Sequence, residues 1–231
     1  MSTLIIGEKY RKKLENCPVL RELDVFWLPQ NTEIGEKLSS HSDLSVFIYK
    51  KTAILANFLR GNELVNFLTN RGFNVIISDY RQSAQYPGDV NLCAALIGDK
   101  IMHNIRFTDK SILELNTDFI DVKQGYTRCS SLVLGESVIT SDKGITAVLK
   151  KHNIETLLIN ENGIVLDGYD RGFIGGASFV AGDTVYFTGD IYKHPSGKLI
   201  DNFISDHNYK ICCLSDETPF DIGGAIVLAL G

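Results

Sequence analysis

The feature that most constrains this chain is an order that recurs along it. A hairpin, a helix and a further strand follow one another about every 40 to 50 residues, a spacing typical of repeat architectures. The clearest copy lies in the middle. Residues 130–134 (SSLVL) and 137–140 (SVIT) read as two short strands across the turn Gly135-Glu136. Asp142 is placed to cap a helix over residues 143–152, whose Ile145, Val148 and Leu149 share one face. Asn153 supplies a stop, and residues 154–159 (IETLLI) read as the closing strand.

Three other segments follow the same order. Residues 177–181 and 184–187 flank Gly182-Asp183, a helix is expected from Pro195 to about Ser205, and residues 209–214 form the strand. Residues 44–49 and 52–56 pair across Lys50-Lys51, with a helix over 62–70 and a strand at 73–78. Residues 92–97 and 100–103 pair across Gly98-Asp99. A short helix near 111–115, capped by Thr108 or Asp109, and a strand at 119–122 follow.

The two ends are incomplete units. The N-terminal end offers a strand (3–6), a helix (8–16) and a strand (25–28), without a hairpin partner. The C-terminal end offers a lone strand at 225–230. Joined, they make a fifth unit. The expected fold is therefore α/β: five β-β-α-β units in a pseudo-fivefold ring, closed by pairing of the N- and C-terminal strands. Such closure protects strand edges that would otherwise be exposed. Residues 1–231 read as one domain. The competing reading is a doubly wound parallel sheet, but hairpins ahead of the helices separate the two. No GxGxxG follows a strand, as a dinucleotide site would require.

This arrangement resembles the pentein fold, the five-bladed α/β propeller, over essentially the whole chain. Local echoes are Gly175-Gly176-Ala177-Ser178-Phe179-Val180-Ala181-Gly182 and Gly223-Gly224-Ala225-Ile226-Val227-Leu228-Ala229, which also echo each other. The segments GFIGGAS and DIGG are similar to those of an uncharacterised bacterial branch without an established activity. The pentein group includes guanidino-modifying enzymes (arginine deiminase, dimethylarginine dimethylaminohydrolase, amidinotransferases) and the non-catalytic sixth translation initiation factor. The enzymes' residues do not carry over. Leu228 stands where the resemblance implies a nucleophilic cysteine, and Tyr126 and Arg128 stand where it implies a histidine and an aspartate. Ile174 occupies the place of an expected acid; Asp167 and Asp170 reach it only with an insertion.

Three polar, glycine-containing segments precede hairpins and would face the centre of such a ring. In residues 123–129, Cys129 is a candidate nucleophile whose pKa Arg128 would lower; the alternative is a buried, inert thiol. Arg128 can instead pair with a carboxylate ligand in bidentate fashion. In residues 167–176, Asp167, Asp170 and Arg171 are candidate ligand-binding groups, or simply turn formers. In residues 216–224, Asp221 is a candidate binding residue, though a surface turn is the ordinary reading. Asn57, Asn104, Asp142 and Asp190 each end the second strand of a unit, which points to capping or turn hydrogen bonds. His41, His103, His152 and His207 form no cluster in the sequence.

The formal net charge of -5 gives no basic face for nucleic acid. No apolar run approaches the roughly 20 residues of a membrane span, and the start of the chain lacks a secretory pattern. A cytoplasmic location without a membrane partner is expected. Five scattered cysteines do not read as a disulfide framework, and no CxxC or HExxH pattern marks a metal or cofactor. The leading expectation is a ring that binds a small molecule or a protein partner at its central channel. The alternative is a guanidino-group-modifying hydrolase or amidinotransferase-like enzyme using Cys129.

Overall fold

Among the described residues, fifteen strands of three to five residues each group into five small sheets. The computed structural model describes residues 3–21 and 23–228. Along the chain the strands are β1 (Thr3–Gly7), β2 (Asp24–Leu28), β3 (Val46–Tyr49), β4 (Thr52–Leu55) and β5 (Asn74–Ile77). There follow β6 (Ala95–Ile97), β7 (Lys100–His103), β8 (Phe119–Asp121), β9 (Ser131–Leu134) and β10 (Ser137–Thr140). The last are β11 (Thr156–Leu158), β12 (Ser178–Ala181), β13 (Thr184–Phe187), β14 (Lys210–Cys213) and β15 (Ile226–Leu228).

The sheets have the orders β3-β4-β5, β6-β7-β8, β9-β10-β11, β12-β13-β14 and β15-β1-β2. In each, the middle strand pairs antiparallel with one neighbour and parallel with the other. The antiparallel pairs within the first four sheets are two-residue hairpins, and Lys50 adopts φ 52° in the turn where the other three place glycine. The parallel pairs need a crossover, which the helices supply. The fifth sheet joins the two ends of the chain: Thr3 pairs with Leu228, Leu4 with Val227 and Ile5 with Ile226. The expected terminal strand extended to Leu230; Ala229 and Leu230 lie outside the described residues.

The core is divided among the sheets. Ile5 and Leu28 pack with Leu55 and Leu64, and Phe47 and Ile54 with Leu92 and Ile101. Ile97 and Met102 pack with Val138 and Leu149, and Leu132 and Ile139 with Val185 and Phe187. Phe179 packs with Leu4 and Ile6, so the last hairpin sheet shares a core with the sheet of the two ends. Each such fully buried leucine, isoleucine or phenylalanine contributes about 1.5–3 kcal/mol over its exposed state.

Of the residues ending the second strands, the two aspartates cap helical turns and the two asparagines make cross-sheet hydrogen bonds. Asp142 Oδ1 accepts from the backbone N–H groups of Gly144 and Ile145 at 2.7 and 2.9 Å, starting the helix Lys143–Lys151. Asp190 accepts from Tyr192 N at 3.0 Å. Asn57 and Asn104 donate across their sheets to the carbonyls of Ser78 and Lys123, both at 2.9 Å.

Several boundaries differ from the sequence reading. The helix expected at 8–16 is a 3₁₀ turn (Glu8–Tyr10), a single turn (Arg11–Leu14) and a second turn (Pro18–Arg21). Pro18, with no N–H to donate, begins that second turn rather than extending the first. The strands expected from residues 44, 92 and 130 start later, at Val46, Ala95 and Ser131. Cross-strand pairing sets those starts; the residues before them bend inward, as the 3₁₀ turn Ser42–Leu44 and the helical turn Thr127–Ser130 do. Among the described residues no helix is long and apolar enough to cross a membrane.

Candidate functional site

Those inward bends build the site. The position two residues ahead of β3, β6, β9, β12 and β15 holds Leu44, Cys93, Cys129, Gly176 and Gly224 in turn. Backbone hydrogen bonds link neighbouring bends: Arg128 N to Cys93 O at 3.0 Å, Gly176 N to Cys129 O at 2.9 Å, and Gly224 N to Gly176 O at 2.8 Å. Ser42 Oγ donates to Gly224 O at 3.1 Å, so the belt reaches from the last bend to the first.

Side chains from this belt and its loops meet in the interior. Cys129 Sγ lies 3.3 and 3.5 Å from the two carboxylate oxygens of Asp221. His41 Nδ1 lies 3.9 Å from Asp221 Oδ1, and one donor atom each of His41, Cys129 and Asp221 fall within 4.8 Å of one another. Cys93 Sγ donates to Asp43 Oδ2 at 3.6 Å. All five residues are buried. The Asp221 carboxylate is oriented by the backbone: Phe173 N donates to one oxygen and Gly223 N to the other, each at 2.9 Å. Gly176 makes room for it, because a Cβ there would sit 1.9 Å from Asp221 Oδ1.

Burial governs the protonation of this cluster. The Cys129 thiol is pushed well above its ordinary value by burial, then by the nearby charges of Asp221 and Asp43. Cys93 is raised by burial and by Asp43. Asp43 is pushed up to about 7, first by burial and then by Asp221, with Arg128 opposing. His41 is lowered, chiefly by burial. An apolar interior disfavours whichever form is charged, so thiols and acids rise while imidazole falls.

These facts correct the sequence reading at several residues. Arg128 does not activate Cys129: the thiol is raised rather than lowered, and Arg128 Nη2 donates instead to Ala225 O at 2.7 Å. Asp221 is not a surface turn but is 2% exposed and central. Asp167, Asp170 and Arg171 lie on an exposed loop, where Arg171 pairs with Glu161 at 3.0 Å, and none joins the cysteine cluster. Asp167 still contributes, after burial, Asp221 and Cys129, to raising the Tyr10 hydroxyl pKa. His41, Asp43 and Cys93 are the residues that sequence reasoning missed. The signal available for them was position, since each lies just ahead of an inner strand, as Cys129 does.

On the far side of the belt is a cavity of about 680 Å³. Its walls come from the first strand of every sheet, β3, β6, β9, β12 and β15. Phe47, Leu132, Phe179 and Leu228 are among its apolar lining. Among the described residues its charged lining side chains are Lys50, Lys51 and Arg128, and none is acidic. Lys50 pairs with Asp99 at 3.7 Å near the mouth, and Lys51 lies over the Phe73 ring. Arg128 Nε is buried without a hydrogen-bond partner among the described residues.

A family described as "Family of unknown function (DUF6873)" matches residues 5–226. The chain belongs to this family. No curated protein matches it. Solved structures similar to this family member are known from guanidino-group chemistry. A cysteine-to-serine variant of dimethylarginine dimethylaminohydrolase from Pseudomonas aeruginosa, complexed with citrulline, is 12% identical with a TM-score of 0.56, covering 96% of this chain and 95% of that one. The agmatine deiminase of C. jejuni is 10% identical with a TM-score of 0.53, covering 92% and 87%. An arginine dihydrolase of cyanobacteria is 11% identical with a TM-score of 0.57, covering all of this chain and 40% of that one. At these identities the likeness is one of fold, and that fold is pentein-like, as the recurring hairpins implied.

Proposed function

We propose that this family member is a closed pentein-like ring that binds a small carboxylate-bearing molecule in its central cavity, without the usual cysteine–histidine guanidino chemistry. One observation carries the reading. In a chain of net charge -5, the cavity framed by the five inner strands is lined, among the described residues, by three cations and no acid. Apolar walls with a few placed polar groups are the ordinary make-up of small-molecule sites. Arg128 at the inner end offers guanidinium N–H groups suited to a carboxylate, and Lys51, beside the Lys50–Asp99 pair at the mouth, favours entry of an anion. The pairing of β1 with β15 and the shared core between the last and first sheets support the closed ring. The enzyme alternative is weakened by the state of Cys129, a buried thiol held neutral and donating to a carboxylate. A nucleophile needs the thiolate.

The test is a thermal-shift screen of small carboxylic acids beside their amides and beside arginine, agmatine and citrulline. A carboxylate at a hundredfold excess over its Kd stabilises by about 2.7 kcal/mol, a midpoint rise of roughly 5–10 °C for a chain of this size. The matching amide gives no rise, and Arg128→Gln and Lys51→Ala each reduce the carboxylate's effect. A screen in which no carboxylate shifts the midpoint contradicts the proposal. So does turnover of a guanidino compound that Cys129→Ala abolishes.

A further inference from the structure

We propose that His41, Cys129 and Asp221 bind a single zinc ion in the interior, a site separate from the carboxylate-binding cavity. Imidazole, thiolate and carboxylate are the three ligand types zinc takes up most readily. Zinc bonds of about 2.3 Å to sulfur and 2.0–2.2 Å to nitrogen or oxygen put tetrahedral donors roughly 3.3–3.8 Å apart. The separations here are 3.3 and 3.5 Å between sulfur and carboxylate, and 3.9 Å between imidazole and carboxylate. Exposed acidic clusters reach such distances by chance; this one is buried at all three residues and drawn from three different inter-strand loops.

A second observation points to an ion rather than to a self-contained hydrogen-bond cluster. The thiol–carboxylate contact satisfies Cys129 and Asp221, but His41 Nδ1 stands 3.9 Å from Asp221 Oδ1, beyond hydrogen-bond reach, and Asp43 Oδ1 is buried with no hydrogen-bond partner among the described residues. A buried polar atom without a partner is destabilising, more so if charged. Asp43 is fully buried, and its side chain neighbours both Cys93 and Cys129. It flanks the three ligands, whose donor atoms alone fall within 4.8 Å of one another. The backbone donors Phe173 N and Gly223 N already fix the Asp221 carboxylate, the outer-shell support that ligating carboxylates need. On binding, a zinc–sulfur bond replaces the Cys129 S–H bond and the proton leaves to solvent; no oxidation or reduction occurs.

The experiment uses the full chain, dialysed against a chelator and titrated with zinc chloride alone, by calorimetry in two buffers of different ionisation enthalpy. Cobalt(II) replaces zinc in a parallel absorption measurement. One equivalent of zinc per chain with proton release is expected, and the cobalt form shows a near-ultraviolet sulfur-to-cobalt band. Cys129→Ser and His41→Gln each lose the band and weaken zinc binding beyond the roughly 10–100-fold that loss of an outer-shell partner costs. A Cys17→Ser/Cys212→Ser/Cys213→Ser variant keeps both signals. Absence of stoichiometric binding overturns the proposal, as does binding that survives in Cys129→Ser and His41→Gln yet disappears in the triple variant. If a site variant fails to fold, the wild-type spectrum still decides, because a cobalt complex without a sulfur band contradicts ligation by Cys129. No carboxylate ligand enters this experiment, and no metal enters the carboxylate screen, so either proposal can fail alone.

Discussion

At the scale of single residues, the interior of this protein is set by burial more than by charge pairing. Asp43 shows it best, because its pKa of about 7 lies well above that of an unfolded chain, about 3.9. Protonated, it contributes stability that is fully present below about pH 4 and is lost as pH rises through 7. His41, lowered by burial, acts in the opposite sense: its contribution is present above about pH 6.5 and is lost as pH falls. The two are separated by substitution. In Asp43→Asn the loss between about pH 4 and 7 disappears, so the variant gains on the wild type by up to about 1.4 kcal/mol per pH unit across that window. Urea midpoints measured from pH 4 to 8 on zinc-free protein check this; parallel curves for the two proteins contradict it. Cys129 was legible from sequence as a residue of interest, but its protonation was not. That state depends on burial and on Asp221, 92 positions away.

At the scale of elements, the hairpins and helices were legible because their signals are local. Gly98, Gly135 and Gly182 mark turns, and Asp142 stands one residue ahead of an amphipathic run. Replacing Asp142 with alanine removes both cap hydrogen bonds and is expected to cost about 1 kcal/mol, within the 0.5–2 kcal/mol typical of such caps. Chemical denaturation measures it, and an unchanged midpoint would show that the cap carries no weight. The inward bends before β3, β6 and β9 were not legible. Residues 44–45, 92–94 and 130 are apolar or small and continue the strand pattern, while only cross-strand pairing decides where a strand begins. His41 and Asp43 were missed because only their position ahead of an inner strand marked them, and no local residue pattern did.

At the scale of the whole molecule, the fold rests on the two ends of the chain completing one sheet. If β15 pairs with β1, every sheet has three strands, the inner strands frame one cavity, and Gly223 and Asp221 are carried to His41 and Cys129. The repeat made this legible from sequence, because one unit lacked a strand and one strand lacked a unit. Without the pairing, Asp221 leaves the cluster and the cavity loses a wall, so both proposed sites depend on it. Nuclear Overhauser contacts in isotope-labelled protein test the pairing directly. Backbone cross-strand contacts between Leu4 and Val227, with slow amide exchange in both strands, are the predicted result. Contacts confined to sequence neighbours in residues 226–228, with fast exchange there, would contradict it.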